Sequence, residues 1–352
     1  MTAFGLRVCL GFAIISLLAL GARGGDVETD WKAVTALDAG PPEHPTTTEA
    51  ARMAVLNHLV RQEKALRAFL VAHPEDEHAF EAWLRLSRVF QFRGDMENSE
   101  NMRTEGRRIL AELEKTATPA QRTELDFSKI TQRMRATQQP TQANREELLA
   151  LARKFQADHP DDRRVPSLLA EVATLFDGQP KTKEALLEAA QSLATDADLK
   201  SRISDDLKRV RLMGQVVPLH FSSASGKEIN IEDFHGKPLI LVFFANFSVP
   251  STTAISEVER DLAELPKGGV EVVGVSLDKT AGDLAGVVKA HDLSWRIAFD
   301  GLGWESPTVR ALGINALPTV WLIDQKGRLR SLNGLESLVA KVRQLLAERP
   351  EH

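Results

Sequence analysis

The chain has no tyrosine and one cysteine, Cys9, among its 352 residues. Without tyrosine no phenol can act as acid or nucleophile. Cys9 lies early in the apolar run 8–20, which follows Arg7 and leads into the small residues Ala19, Gly21, Ala22 and Gly24. One basic residue, a short apolar run and small residues after it make a secretory signal peptide, expected over 1–24. The run is short of the roughly 20 apolar residues of a membrane span, so a membrane is a partner only if this segment stays uncleaved. A lipid-anchoring cysteine would end the run, and Cys9 precedes most of it. Removal of the signal leaves a mature chain with no cysteine, and therefore no disulfide, thiolate nucleophile or cysteine metal site. Nor does either charge dominate: a net charge of −5 gives no reason to expect nucleic acid or an anionic surface as partner.

What is present falls into two patterns. Residues 25–45 follow Gly24, carry Gly25, Ala39-Gly40-Pro41-Pro42 and Pro45, and are expected to be a linker with a short helix at 31–37. From 46 to 213 apolar residues recur at helical spacing. Thr46-Thr-Thr-Glu49 fits a capping box that opens the first helix. The second is expected from Asp76 to a stop at Gly94, and further helices at 95–115, 119–135, 144–158, 166–176, 181–194 and 197–212. Pro119 follows Thr118 and supplies the first-turn proline of one of them. Arg67-Ala-Phe69-Leu-Val-Ala-His73-Pro74-Glu-Asp76 is repeated as Arg153-Lys-Phe155-Gln-Ala-Asp-His159-Pro160-Asp-Asp162. The pattern reads as helix, proline turn, acidic cap and helix, with stacked hairpins sharing a core. His73 and His159 read as turn residues, since no partner has metal-ligand spacing. The stretch resembles tetratricopeptide-like hairpins without their strict period.

From 214 strands and helices alternate, the grammar of an α/β sheet covered on both faces. The apolar run 238–243 reads as a buried strand and Ser248-Val-Pro-Ser-Thr-Thr253 as a turn into a helix at 251–265. Residues 269–278 are a second apolar strand, followed by a helix at 280–291, a strand at 295–299, a helix at 306–312, a hairpin at 319–330 and a closing helix at 335–347.

Four stretches carry a family resemblance: Phe234-His-Gly-Lys-Pro238, Phe244-Ala-Asn-Phe247, Val273-Gly-Val-Ser-Leu-Asp278, and Gly313-Ile-Asn-Ala-Leu-Pro-Thr319 leading to Leu322-Ile-Asp324-Gln-Lys-Gly327. Together they resemble the TlpA/ResA branch of the thioredoxin-like fold, close to the peroxiredoxins. The fold class implied is multi-domain: an all-α helical-hairpin domain at 46–213, then an α/β thioredoxin-like domain at 214–352. The resemblance also implies a cis Leu317-Pro318 turn facing the redox motif, whose backbone pairs with an extended substrate. The two cysteines of that motif fall on Ser248 and Ser251. The carboxylates of the two branches fall on Ala254 and Val242. A serine at a helix start is not ionised there and cannot exchange a disulfide. Aligned with the peroxiredoxins, Phe247-Ser-Val-Pro-Ser251-Thr-Thr places serine where the peroxidatic thiol would be, so no sulfenic acid can form.

The two serines read as helix caps. As hydrolase nucleophiles they would need a positioned base; His220, His235 and His291 are the candidates in this region, none in a triad motif. No catalytic residue, cofactor or metal is expected. The binding residues expected are Phe244, Phe247, Val249, Pro250, Leu317, Pro318 and Thr319, forming a shallow groove for an extended protein or peptide partner of the cell envelope. The alternative is the family's own activity, thiol–disulfide exchange or peroxide reduction. A third reading makes the thioredoxin-like domain a structural cap on the helices.

Overall fold

The computed structural model describes residues 25–43, 45–137, 141–223 and 226–348; the expected signal peptide lies outside the described residues. The chain divides into two compact units, Met1–Ala136 and Thr137–His352.

The first unit holds α1 (Val27–Thr35) with a 3-10 turn (Ala36–Ala39), α2 (Thr48–Ala72), α3 (Ala79–Met96), α4 (Glu100–Thr116) and α5 (Pro119–Arg135). α5 begins where its signals point. The Thr118 hydroxyl accepts the Gln121 N–H, the Gln121 side chain accepts the Thr118 N–H, and Pro119 opens the helix. α2 is capped one residue later than expected, with Thr47 rather than Thr46 accepting the Ala50 N–H at 3.2 Å. Gly94 does not stop α3. A Cβ there would lie 3.0 Å from the Arg103 backbone nitrogen and 3.1 Å from the Ser99 oxygen, so the glycine permits close approach of α4. The segment expected as a linker is folded: Val34 is buried and the Trp31 ring stands 5.1 Å from that of Phe69.

The second unit begins with α6 (Gln142–Asp158), α7 (Val165–Ala173) with a 3-10 turn (Thr174–Phe176), α8 (Pro180–Leu193) and α9 (Ala197–Leu212). The sequence repeat is a repeat of geometry. His73 and His159 end their helices at φ −131°, ψ 58° and φ −134°, ψ 58°. Each histidine ring packs at a tilt against the phenylalanine one turn before it, with centroids 5.0 Å apart for Phe69 and 4.8 Å for Phe155. Asp76 and Asp162 then accept the backbone N–H of His78 and Arg164.

The pattern changes at 213/214, yet the compact units divide at 136/137. The reason is that α9 runs into the sheet. Met213 bridges to Leu329, and the Gly214 N–H donates to the Leu329 oxygen at 2.8 Å. A small hairpin follows, β1 (His220–Ser222) and β2 (Glu228–Asn230), with a 3-10 turn at Ile231–Phe234. Then come β3 (Leu239–Phe244), α10 (Val249–Leu262), β4 (Glu271–Ser276), α11 (Ala281–Ala290), β5 (Arg296–Ala298), a 3-10 turn (Gly303–Glu305), α12 (Pro307–Ala311), β6 (Thr319–Ile323), β7 (Leu329–Ser331) and α13 (Leu338–Ala347). The five-stranded sheet runs β5-β4-β3-β6-β7, parallel from β5 to β3 and antiparallel beyond.

β3 is central and every residue in it is buried, which is why it reads as an unbroken apolar run. Its side chains alternate between two cores. Leu239, Leu241 and Phe243 join Phe221, Phe234 and Leu312 on one face. Ile240, Val242 and Phe244 join Ile255, Val258, Val287 and Val342 from α10, α11 and α13 on the other. The sheet is thus covered on both faces, as expected.

Candidate functional site

β3 ends at Phe244 and the chain turns through Ala245, Asn246 and Phe247 into α10. The Ser248 N–H donates to the Ala245 oxygen at 3.1 Å and the Ser251 N–H to the Ser248 oxygen at 2.9 Å. The turn is fixed from the neighbouring strand. Leu277 donates its N–H to the Phe244 oxygen at 2.8 Å, and the Asp278 carboxylate accepts the Asn246 N–H at 2.9 Å. Asp278 is 2% exposed and its other oxygen accepts from the Ser276 hydroxyl at 2.8 Å. A buried carboxylate bonded at both oxygens is a rigid support. In the sequence Asp278 carries one signal of this role, its place at the end of a buried apolar strand.

The two serines occupy different environments, and neither caps α10. Ser248 is the N-cap residue, with extended backbone, but its hydroxyl makes no capping bond. Ser251 is the third helical residue, fully buried, and its Oγ has no hydrogen-bond partner. The expectation of serine caps is therefore corrected. Ser251 lies too far into the helix and too deep, and Pro250 at the second position removes an N–H that a cap would serve. An unpaired buried hydroxyl costs about 1–3 kcal/mol, whereas a thiol behaves as a small apolar group. Val242 and Ala254 are buried at 0% and 2% exposure, so the positions that the resemblance assigns to carboxylates carry apolar side chains in the core.

The expected binding residues separate into surface and core. Phe247 and Val249 are 64% and 75% exposed, and Pro250 is exposed with them. Phe244 is fully buried in the face covered by α10 and cannot line a groove. This corrects the sequence reading, which gave the last residue of a buried strand the exposure of the turn after it. Leu317, Pro318 and Thr319 are half-buried and the Leu317-Pro318 bond is cis. Thr319 lies opposite Phe243 in the β3–β6 ladder, so the register brings Leu317 and Pro318 to the rim where the 245–248 turn leaves β3. Leu302 and Trp304, 48% and 37% exposed, sit on the loop after β5 and were missed. Gly303 between them lies against the Leu277 carbonyl, where a Cβ would come to 3.0 Å. That places the loop at the same strand ends as Asp278.

The cis-proline loop is held from α9. The Arg209 guanidinium donates to the Gly313 oxygen and, at 2.8 Å, to Asn315 Oδ1, while it pairs with Asp206. Burial pulls the Arg209 pKa below its ordinary value, against the opposing pull of Asp205 and Asp177. Lys208 donates to the Arg310 oxygen at 3.2 Å. No local sequence pattern announces the contacts to Arg310, Gly313 and Asn315, each about a hundred positions away.

Each candidate base is placed elsewhere. His220 bonds Asn230 at 2.7 Å and pairs with Glu228, His291 stands 3.5 Å from Ser256, and the Gly327 turn adjoins His235. None of these contacts reaches Ser248 or Ser251. Among the described residues no cluster of three or more His, Cys, Asp or Glu could hold a metal ion. No helix among them is long and apolar enough to cross a membrane.

Residues 213–332 match the model of the AhpC/TSA family, and this segment contains no cysteine. Over 104 residues the chain is 29% identical to the thiol-disulfide oxidoreductase ResA of Bacillus thuringiensis, covering 30% of this chain and 58% of that protein. Over 97 residues it is 34% identical to chloroplastic peroxiredoxin Q of Triticum aestivum, covering 27% and 42%. The chain thus spans less than two thirds of the length of these relatives. Among solved structures, a thiol-disulfide oxidoreductase from Bacteroides fragilis aligns over 37% of this chain and 99% of its own, at 25% identity and a TM-score of 0.34. A thioredoxin-like protein from Parabacteroides distasonis aligns over 31% and 85%, at 20% identity and a TM-score of 0.29. The C-terminal part has a thioredoxin-like fold and is similar to the redoxins over residues 213–332, and a helical region precedes it.

Proposed function

We propose that this chain is an exported, cell-envelope protein that binds an extended polypeptide on a thioredoxin-like site without exchanging disulfides. The observation that carries the reading is the contrast within one turn. Phe247 and Val249 expose large apolar side chains, while Ser251 behind them is buried with an unpartnered hydroxyl. Exposed apolar side chains beside a strand-start loop suit a peptide that pairs through its backbone and inserts its side chains. Leu302 and Trp304 extend the apolar rim. Serine at both positions that the resemblance assigns to thiols supplies no group that can form a mixed disulfide. Export follows from the N-terminal pattern of basic residue, apolar run and small residues.

Site-specific photo-crosslinking in cells separates this from the rival, a thiol–disulfide oxidoreductase or peroxidase of the kind its relatives are named for. A photoreactive residue at Phe247 or Val249 is expected to capture discrete envelope polypeptides, and one at Val71, 83% exposed on α2, is not. Equal capture from all three sites would sink the proposal. So would insulin reduction or peroxide turnover by the purified mature protein that Ser251→Ala abolishes.

A further inference from the structure

Within the first unit, a cavity of about 360 Å³ opens between the 3-10 turn that follows α1 and the helices α2 and α3. Its walls are apolar: Val34, Leu59, Leu66 and Val89 are all at least nine-tenths buried, and Phe92 stands at the mouth, 38% exposed. The polar lining comes from three elements, with Gln62 on α2 donating to the Leu37 oxygen at 3.3 Å. Arg85 and Arg88 lie one turn apart on α3 and both line the cavity, with Asp38 from the 3-10 turn. Arg85 Nη1 donates to both oxygens of Asp38, at 2.7 and 2.9 Å, and its Nε donates to Glu81 at 2.9 Å. Arg88 donates to the Ser128 hydroxyl at 2.8 Å, and the Arg135 guanidinium lies 4.1 Å over the Phe92 ring.

A volume of this size falls in the range of about 300–1,000 Å³ typical of small-molecule sites, and apolar walls with a few convergent polar groups are their usual lining. Guanidinium is the side chain whose fork matches a carboxylate. Here Arg85 and Arg88 line the cavity; Glu81 takes Nε and Nη2 of Arg85, while Asp38 holds Nη1 with both oxygens, in the place a ligand's carboxylate would take. Asp38 is itself about half exposed, so it can leave without opening a core.

We propose that this cavity binds a small organic acid with an apolar body, its carboxylate taken by Arg85 and Arg88 and its body lying against Leu59, Leu66 and Val89. Asp38 is then an internal competitor, which lowers affinity by holding Arg85. The proposal is independent of the reading of the thioredoxin-like site.

The test is calorimetric titration of the full mature chain with decanoate, with decanol as the neutral analogue and decyltrimethylammonium as the charge-reversed one. Decanoate is expected to bind saturably at one site per chain, and the other two are expected to bind at least about ten-fold more weakly, the loss of one charge-assisted pair. Asp38→Asn should tighten decanoate binding about ten-fold, because it removes the carboxylate that competes for Arg85 Nη1. Arg88→Gln should weaken it by a similar factor, and Val89→Phe should fill the cavity and remove it. If Val89→Phe fails to fold, Asp38→Asn and Arg88→Gln decide, since neither removes apolar packing. The proposal is overturned if decanol binds as tightly as decanoate. It is also overturned if neither the parent chain nor Asp38→Asn binds saturably, or if Asp38→Asn and Arg88→Gln leave the affinity unchanged.

Discussion

The Asp278 carboxylate accepts the Asn246 N–H at 2.9 Å, and through that bond a buried side chain at the end of β4 sets the turn that leaves β3. The same carboxylate takes the Ser276 hydroxyl, so removing it strands two donors at once. Asp278→Ala is expected to destabilise the second unit by about 2–4 kcal/mol, the range for two charge-assisted bonds lost from a buried site. Asp278→Asn, which keeps an acceptor for Asn246, should be milder. Urea unfolding of both variants checks the order, and an Asp278→Asn variant less stable than Asp278→Ala would refute the assignment. If the turn forms the binding site, capture from Phe247 should fall in Asp278→Ala under conditions where it remains folded.

Ser251 yields a prediction of opposite sign. Its hydroxyl is fully buried and unpartnered, so its removal relieves a desolvation penalty instead of breaking a bond. Ser251→Ala should raise stability by about 1 kcal/mol, at the low end of the penalty because truncation also leaves a small void. Ser251→Cys should do at least as well, since sulfur fills the space and tolerates burial. Thermal melts of the parent and both variants make the comparison. A lower Tm for both would mean that the hydroxyl has a partner in solution.

How much of this could be read from the chain depends on whether the deciding interaction is local. α5 and α9 lie at the residues expected because their signals act within one turn: Thr118 with Gln121 and Pro119 at one start, and Asp196 accepting the Leu199 N–H at the other. β3 was legible because burial on both faces leaves an apolar run with no other reading. Gly94 was misread because a glycine inside a helix looks like a stop until another helix is found crossing it. β1, three residues with only Phe221 buried, has too little alternation to register. Phe244 and Phe247 are both aromatic ends of one motif, and only the fold separates core from surface. Arg209 was invisible because its partners come from beyond the sheet's first half.

Gly313 is where α9 meets the cis-proline loop. It has φ +70°, and a Cβ there would come to 2.5 Å from the Asp205 backbone oxygen. Both the left-handed backbone and the close approach exclude a side chain. Gly313→Ala should therefore destabilise the second unit by more than about 2 kcal/mol, adding backbone strain to a forced displacement of α9. Arg209→Ala removes bonds to Gly313 and Asn315 without touching the backbone and should cost about 1–3 kcal/mol. Because the two act on one contact, the double variant should lose less than the sum. Full additivity in urea melts would show that α9 and the loop are energetically separate.

The repeated turns make acid stability depend on two carboxylates. Asp162 is held below the usual carboxylate range, first by its side-chain bonds from Arg164, at 2.7 and 2.9 Å, and then by the Arg164 backbone N–H. Asp76 is lowered in the same direction, first by the His78 backbone N–H and then by the His78 side chain. A carboxylate whose folded pKa lies below its unfolded value of about 3.9 contributes its full stabilisation above that value. The contribution is lost as pH falls from there through the folded pKa. Parent and Asp162→Asn should therefore differ in stability by a constant amount above about pH 5 and converge below about pH 4. Asp76→Asn should behave alike in the first unit. Urea unfolding followed by far-UV circular dichroism across this range measures the gap. A gap that widened toward acid would reverse the sign and refute the role given to these turns.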